Sequence, residues 1–413
     1  MKDKLVLKIL RNFSWMIIGQ IAGRVFGFAA VIVLARRLGN EGYGRWAFVF
    51  ALLSYGMLLA DFGLSTYGAI EVAKRKERLR DLLGNILSIK LSISILLIVA
   101  ITVISQIVPK FKSLESLIFL TFLNLIPFAL SVEWAFRALE DMKYAALWNL
   151  IFNFIFFALI LLAVHRPDDI LKVPSSRFIA LSVASVSILI VLIKKYREIT
   201  EFKINFSKWI PIIKVSAVLT ASFVMIKIYY NIDTIMLGFF KTMGDVGTYG
   251  AIYNFVLAIS IVRFSLLYAV QPTLSRMETI PRESYSRYLK NIEMVSILIG
   301  ILIYIVMFTF ASPIIKIFYG SKYHSPETVK LLRILINANL IMFVNLVFPT
   351  LLIIAGKEKL YFWVTFGGAF TNFVLNLFLI PRYGFFGAAY TTILSEFVVF
   401  ILAFSLYYRL IKP

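Results

Sequence analysis

The sequence predicts an all-α membrane protein with about 12 transmembrane helices in two six-helix lobes, and three observations carry that prediction. First, 60% of its residues are hydrophobic and mean hydropathy is +0.87, more apolar side chain than a soluble domain could bury. Second, short polar connections divide the chain into runs that each approach the roughly 20 apolar residues needed to span a bilayer. Third, the turn Gly39-Asn40-Glu41-Gly42-Tyr43-Gly44 returns as Gly244-Asp245-Val246-Gly247-Thr248-Tyr249-Gly250 with one residue inserted, which marks an internal repeat.

The spans are placed at 13–35, 46–68, 84–108, 114–134, 146–164, 175–193, 211–236, 249–271, 291–311, 329–354, 361–380 and 385–408. The first carries Arg24 near its middle and Gln20 one turn earlier on the same face. Gly19, Gly23 and Gly27, spaced four apart, leave a smooth strip for a neighbouring helix. Arg36 to Arg45 reads as a tight outer turn before the second span. Lys90, shallow in the third span, is expected to snorkel to the interface. Pro127 should bend the fourth span, and Pro349 is its counterpart in the tenth. His165 to Arg177, with Pro167 and Pro174, reads as an outer loop. Ala138 to Tyr144 resembles Ala355 to Tyr361, so two lobes, 1–200 and 201–413, are expected. Six spans per lobe keeps their orientation the same, which implies a pseudo-two-fold along the membrane normal and a central cavity between the lobes.

The net charge of +21 arises from 43 Lys and Arg against 22 Asp and Glu. The segments on the side of the termini hold about 24 of these cations and the opposite loops about 12, which predicts cytoplasmic termini and makes nucleic-acid binding the poorer explanation. The runs Lys74-Arg75-Lys76 and Lys194-Lys195 then face anionic lipid headgroups. With no Cys, disulfide and thiolate chemistry are excluded. The first apolar run is too long for a cleaved leader and is expected to stay as a span.

Ionisable residues within spans are costly, and they mark candidate sites. Arg24 in span one, Lys227 in span seven and Arg263 in span eight lie on the helices that open each half. Lys227 shares a stripe with Ser216, Thr220, Asn231 and Thr234. These cations suit a shared anion site, since Arg offers a planar fork to phosphate and Lys a compact charge. The competing structural reading pairs them with Asp61, Asp233, Glu133 or Glu396. Asp233, Asn372, Asn376 and Thr392 offer oxygens to a hard cation such as sodium, or they simply hydrogen-bond between helices.

The segments LARRLGNEGYG, LLADFGLS and NFVLNLFLIPRYGFFGAA (372–389) resemble the polysaccharide-biosynthesis branch of the multidrug/oligosaccharidyl-lipid/polysaccharide exporter superfamily. That branch includes the Wzx-type O-antigen flippases, with the lipid II flippase as a relative. The resemblance covers the whole chain. It implies transfer of a prenyl-linked oligosaccharide between leaflets by alternating access, for cell-surface glycan biosynthesis. It also implies that Arg24 and Arg263 hold the diphosphate; Gln20, on the face of Arg24, and Lys227 and Asn231, on the stripe of span seven, are expected as further substrate contacts from their placement alone. Asp233, Asn372 and Thr392 match the relative's sodium site, whereas Asn376 replaces a second Asp. The relative's two further C-terminal spans have no counterpart here, which implies a substrate other than lipid II.

No cofactor is expected; sodium or a proton is the candidate coupling ion. Expected partners are the lipid-linked substrate, membrane lipid and polysaccharide polymerase or glycosyltransferase machinery. An enzyme is not expected: no GxxxxGK[ST] loop is present, and no large outer loop carries catalytic carboxylates. The alternative is a cation-coupled drug exporter of the same superfamily, which would want acidic groups where this chain has cations.

Overall fold

The computed structural model describes the backbone of residues 2–200, 202–275 and 281–410, with side chains except at 2–14, 16–18, 20, 218–219, 221–230, 268, 272, 282 and 410. Every regular element among these residues is helical. Ten segments are long and apolar enough to cross a membrane. The first, Ile21–Lys74, contains the second expected span and the first from residue 21 onward, and the expected seventh span runs through residues whose side chains lie outside the described set.

The chain divides into two compact units, Met1–Leu38 with Phe48–Val224, and Gly39–Ala47 with Met225–Pro413. The division falls inside a helix, and the second unit takes up a piece of the first half of the sequence.

In the first unit α1 runs Lys2–Asp61, with one non-helical residue, Gly39 at φ 71 and ψ −178. A side chain would strain that backbone, so glycine makes the corner. The outer turn expected over Arg36 to Arg45 is therefore a single-residue bend between two helical legs. The second leg stops at a further break, where Phe62 and Gly63 both take positive φ. Beyond it come α2 (Leu64–Lys74), α3 (Arg78–Ile107) and the short α4 (Pro109–Lys112). The fourth span is cut into α5 (Glu115–Phe122), α6 (Leu125–Ala129) and α7 (Glu133–Ala138), then α8 (Met142–Ala163) and α9 (Lys172–Lys195) follow. Leu83, Ile86, Trp134 and Phe136 anchor the core of this unit.

Helix α10 (Trp209–Phe240) crosses from one unit to the other. The second unit continues with α11 (Met243–Leu274), α12 (Arg282–Thr309), α13 (Ala311–Tyr319) and α14 (Pro326–Val344). It closes with α15 (Phe348–Ile354), α16 (Glu358–Tyr383) and α17 (Phe385–Leu410) around Leu274, Phe348 and Leu352.

Local geometry repeats where the sequence does. Pro127 and Pro349 each sit just after an interruption of their span, because the ring collides with the carbonyl four residues earlier and supplies no N–H. Downstream, α7 and α15 stop with the same left-handed residue, Glu140 (φ 58) and Gly356 (φ 66). The next amides, of Asp141 and Lys357, reach back 2.9 Å to the carbonyls of Phe136 and Leu352.

Two expectations change. The stretch His165 to Arg177 is not a loop throughout: Pro167–Leu171 is a short 3-10 turn and α9 begins at Lys172, so Arg177 stands on a helix. Pro174 falls in the first turn, where a helix has no intrahelical partner for the missing N–H. Lys90 does not snorkel: its side chain is 2% exposed and its ammonium lies 3.1 Å from Asp61.

Candidate functional site

The glycine strip on the first leg of α1 has a partner. Cβ atoms built on Gly19, Gly23 and Gly27 would stand 2.5, 2.6 and 3.1 Å from atoms of Ala146, Asn149 and Asn153 on α8. Only hydrogen side chains allow this approach, so the strip fixes the rotation of the leg. Arg24, one residue round from Gly23, is consequently turned away from α8 and is exposed. Near the end of this leg Arg37 donates to the Leu161 and Val164 carbonyls at 2.8 and 2.6 Å, closing the C-terminus of α8 with a cation. Its role is structural.

In the second unit Arg263 lies half-buried on α11, its guanidinium 4.8 Å from the Phe264 ring. Its Nε is buried with no hydrogen-bond partner, and no carboxylate pairs with it among the described residues. Two of the carboxylates named for pairing are taken by other cations, Asp61 by Lys90 at 3.1 Å and Glu133 by Arg137 at 3.2 Å, and among the described residues none pairs with Arg263. Asn231 is half-buried on α10. Gln20 and Lys227 lie outside the described side chains.

Four residues from three helices converge at Asp233, which is 1% exposed. Asn376 Nδ2 donates to Asp233 Oδ1 at 2.5 Å and to Asn372 Oδ1 at 3.0 Å. Thr392 Oγ1 donates to Asp233 Oδ2 at 3.2 Å. The spacing of four between Asn372 and Asn376 puts both on one face of α16. A fifth member is Tyr249 of α11, fully buried, whose hydroxyl donates to Asp233 Oδ2 at 2.6 Å. Sequence reasoning placed Tyr249 in the repeated turn before span eight and did not connect it with Asp233. The donors around this carboxylate are all neutral among the described residues.

The oxygens here suit a hard monovalent cation. Asn376 Oδ1 is buried without a partner, while its amide nitrogen bridges two of the oxygens that would bind the ion. Turning that amide would remove the nitrogen and present the orphaned oxygen. No group of three or more His, Cys, Asp or Glu gathers among the described residues.

The two matched turns of the repeat meet each other. A Cβ on Gly44 would stand 1.7 Å from the Met243 carbonyl oxygen, and one on Gly247 would stand 1.8 Å from that of Asn40. Asn40 Nδ2 adds a 3.2 Å hydrogen bond to Thr248, and Asn254 Nδ2 lies 3.3 Å from the Tyr43 hydroxyl. Backbone against backbone at this range leaves no room for any other residue type. The glycines that made the repeat visible are therefore the ones that form this junction.

In the first unit a different arrangement surrounds Asp61. It accepts from Ser65 and faces the Lys90 ammonium, which also reaches Ser65 Oγ at 3.2 Å and lies 4.9 Å from the Phe128 ring centroid. The break at Phe62 and Gly63 brings the end of α1 against α3.

With this geometry established, relatives become informative. A family profile for polysaccharide biosynthesis proteins matches residues 9–278, and a MatE profile matches 219–378. The provisionally named O-antigen transporter of Shigella dysenteriae is 22% identical over 391 residues, covering 94% of this chain and 97% of that protein. Among solved structures, the fold is similar to the lipid II flippase MurJ in an inward closed conformation. That match has TM-score 0.78 and 14% identity, over 95% of this chain and 87% of that one. It is also similar to an inward-facing multidrug resistance MATE family transporter, with TM-score 0.70 and 14% identity over 93% and 94% of the two chains.

Proposed function

The chain belongs to the polysaccharide biosynthesis protein family, and on that premise we propose that it is a flippase for a prenyl-(di)phosphate-linked oligosaccharide or repeat unit. The cargo passes from the inner to the outer leaflet of the cytoplasmic membrane by alternating access, and both termini face the cytoplasm. The observation that carries this reading is Arg263, a guanidinium on a membrane helix with a buried Nε that no described residue satisfies. An unsatisfied buried donor costs about 1 to 3 kcal/mol, which a phosphate-bearing cargo would offset on binding. Arg24 and Arg263 are assigned to the phosphates, with Lys227, Gln20 and Asn231 as further contacts. The prenyl tail stays in lipid.

A cytoplasm-negative potential favours outward movement of an anion by about 2.3 kcal/mol per charge per 100 mV across the full field. The Asp233 cluster is assigned a coupling sodium ion, with a proton as the other candidate. Partners at the outer leaflet would be the polymerase or transferase machinery that consumes the flipped glycan. A drug exporter is the second reading, supported by the MatE match over 219–378. It asks for anionic groups facing the cargo, and Arg24 and Arg263 argue for the opposite charge.

Arg24→Gln and Arg263→Gln should abolish export of the lipid-linked glycan in cells while leaving membrane insertion unchanged. Glycan at the cell surface at normal levels in both variants would remove the phosphate assignment.

A further inference from the structure

Arg177, expected at the end of an outer loop, stands on α9 with its guanidinium carbon 4.8 Å from the ring centroid of Phe50 and 4.9 Å from that of Phe152. The rings come from different helices of the first unit, the second leg of α1 and α8, so the guanidinium is held inside that unit. Phe152 precedes the end of α8 at Ala163 by eleven residues, a rise of about 16 Å at roughly 1.5 Å per residue. That is about half the ~30 Å hydrocarbon thickness.

Aromatic rings attract the cation without accepting its N–H bonds in the way an oxygen does. Arg177 Nε is buried with no hydrogen-bond partner. Its two Nη atoms make no hydrogen bond or ion pair among the described residues, and they are absent from the buried unpartnered atoms, so they retain accessible surface. The neighbouring interior is polar too. Asn124 Nδ2 donates at 3.3 Å to the carbonyl of Pro174, one turn before Arg177, while Asn124 Oδ1 and Thr121 Oγ1 are buried without partners. Those oxygens are buried acceptors and offer nothing to an anion; the donors with surface left for an occupant are the two Nη atoms of Arg177.

We propose that Arg177, clamped by Phe50 and Phe152, forms an oxyanion subsite inside the first unit. It takes one phosphate or carboxylate group through the forked donors of the guanidinium. The subsite deepens the flippase reading, on which the natural source of the anion rests: a phosphate of the carrier or an acidic sugar of the glycan. It uses none of the residues assigned to the phosphates above.

The test is thermal unfolding of the purified chain in detergent, titrated with inorganic phosphate and separately with glucuronate at constant ionic strength. A saturable rise in Tm with at least one of them is expected, and the anion that saturates at lower concentration identifies the source. The titration is read in the Arg24→Gln/Arg263→Gln background, which lacks the phosphate contacts assigned above; the saturable response should persist there, so a failed export assay and a failed subsite are told apart. Adding Arg177→Gln to that background should remove the response. Adding Arg177→Lys instead, which keeps the charge and loses the fork, should weaken apparent affinity by about tenfold. The proposal is overturned if the double variant shows no saturable response to either anion, or if adding Arg177→Gln leaves its response unchanged. Should the Arg177→Gln chain not fold, the Lys variant decides: affinity unchanged from the double variant overturns it.

Discussion

Asp61 in the first unit and Asp233 in the second are carboxylates held among apolar helices, and they are neutralised differently. Asp61 has the Lys90 ammonium at 3.1 Å, with Ser65 bridging the pair. Asp233 is more deeply buried, and its donors among the described residues are hydroxyls and an amide, from Tyr249, Thr392 and Asn376. A covalently attached cation cannot leave, so the first arrangement is permanent. At the second, the coupling sodium ion or proton proposed above would supply the balancing charge. The contrast is between a brace and a proposed loading site, and each half of it can be broken by substitution.

The largest effect is expected at the brace. Lys90→Met removes one member of a buried pair and should destabilise the first unit by about 3 to 5 kcal/mol, since the remaining carboxylate is left without compensation. The double variant Lys90→Met/Asp61→Asn should recover most of that loss. Thermal unfolding of the purified variants measures both, and additive losses would show that the pair is not coupled.

Asp233→Asn should behave in the opposite way, folding normally because its partners are neutral. What it should lose is stabilisation of the native chain by sodium, expected at about 1.4 to 2.7 kcal/mol for an ion at roughly ten to a hundred times its Kd. Sodium titration of Tm at constant ionic strength is the measurement; an equal response in the variant would remove the ion from this cluster. Asn376→Asp sharpens the contrast by adding a second carboxylate, and the same titration should then saturate at about tenfold lower sodium. The smallest effect is expected from Tyr249→Phe, which deletes one hydrogen bond to Asp233 and should cost about 1 kcal/mol with the fold intact.

The spans were legible because hydropathy and length carry that information residue by residue, and the repeat because glycine cannot be replaced where backbones touch, as at Gly44 and Gly247. Asp233, Asn372, Asn376 and Thr392 could be grouped from sequence because the resemblance linked them; helical spacing alone linked only the two Asn. Tyr249 was missed as a partner of Asp233 because a tyrosine at the start of a span reads equally as an interfacial ring. Lys90 was misjudged because its depth was counted along a straight helix. Its partner lies 29 positions earlier, beyond a break at Phe62 and Gly63 that no sequence signal announced. The sequence reading placed Arg177 at the end of an outer loop that carries two prolines. One of them, Pro174, lies within the first turn of α9, where proline does not interrupt a helix.

The account rests on movement of a phosphate-linked glycan across the bilayer by this chain alone. The direct measurement is reconstitution into liposomes with a prenyl-diphosphate oligosaccharide, scoring how fast the headgroup becomes accessible on the opposite leaflet. The account predicts transfer well above protein-free liposomes, lost in Arg24→Gln and Arg263→Gln. Transfer no faster than in empty liposomes, by protein that is folded and inserted, would contradict it.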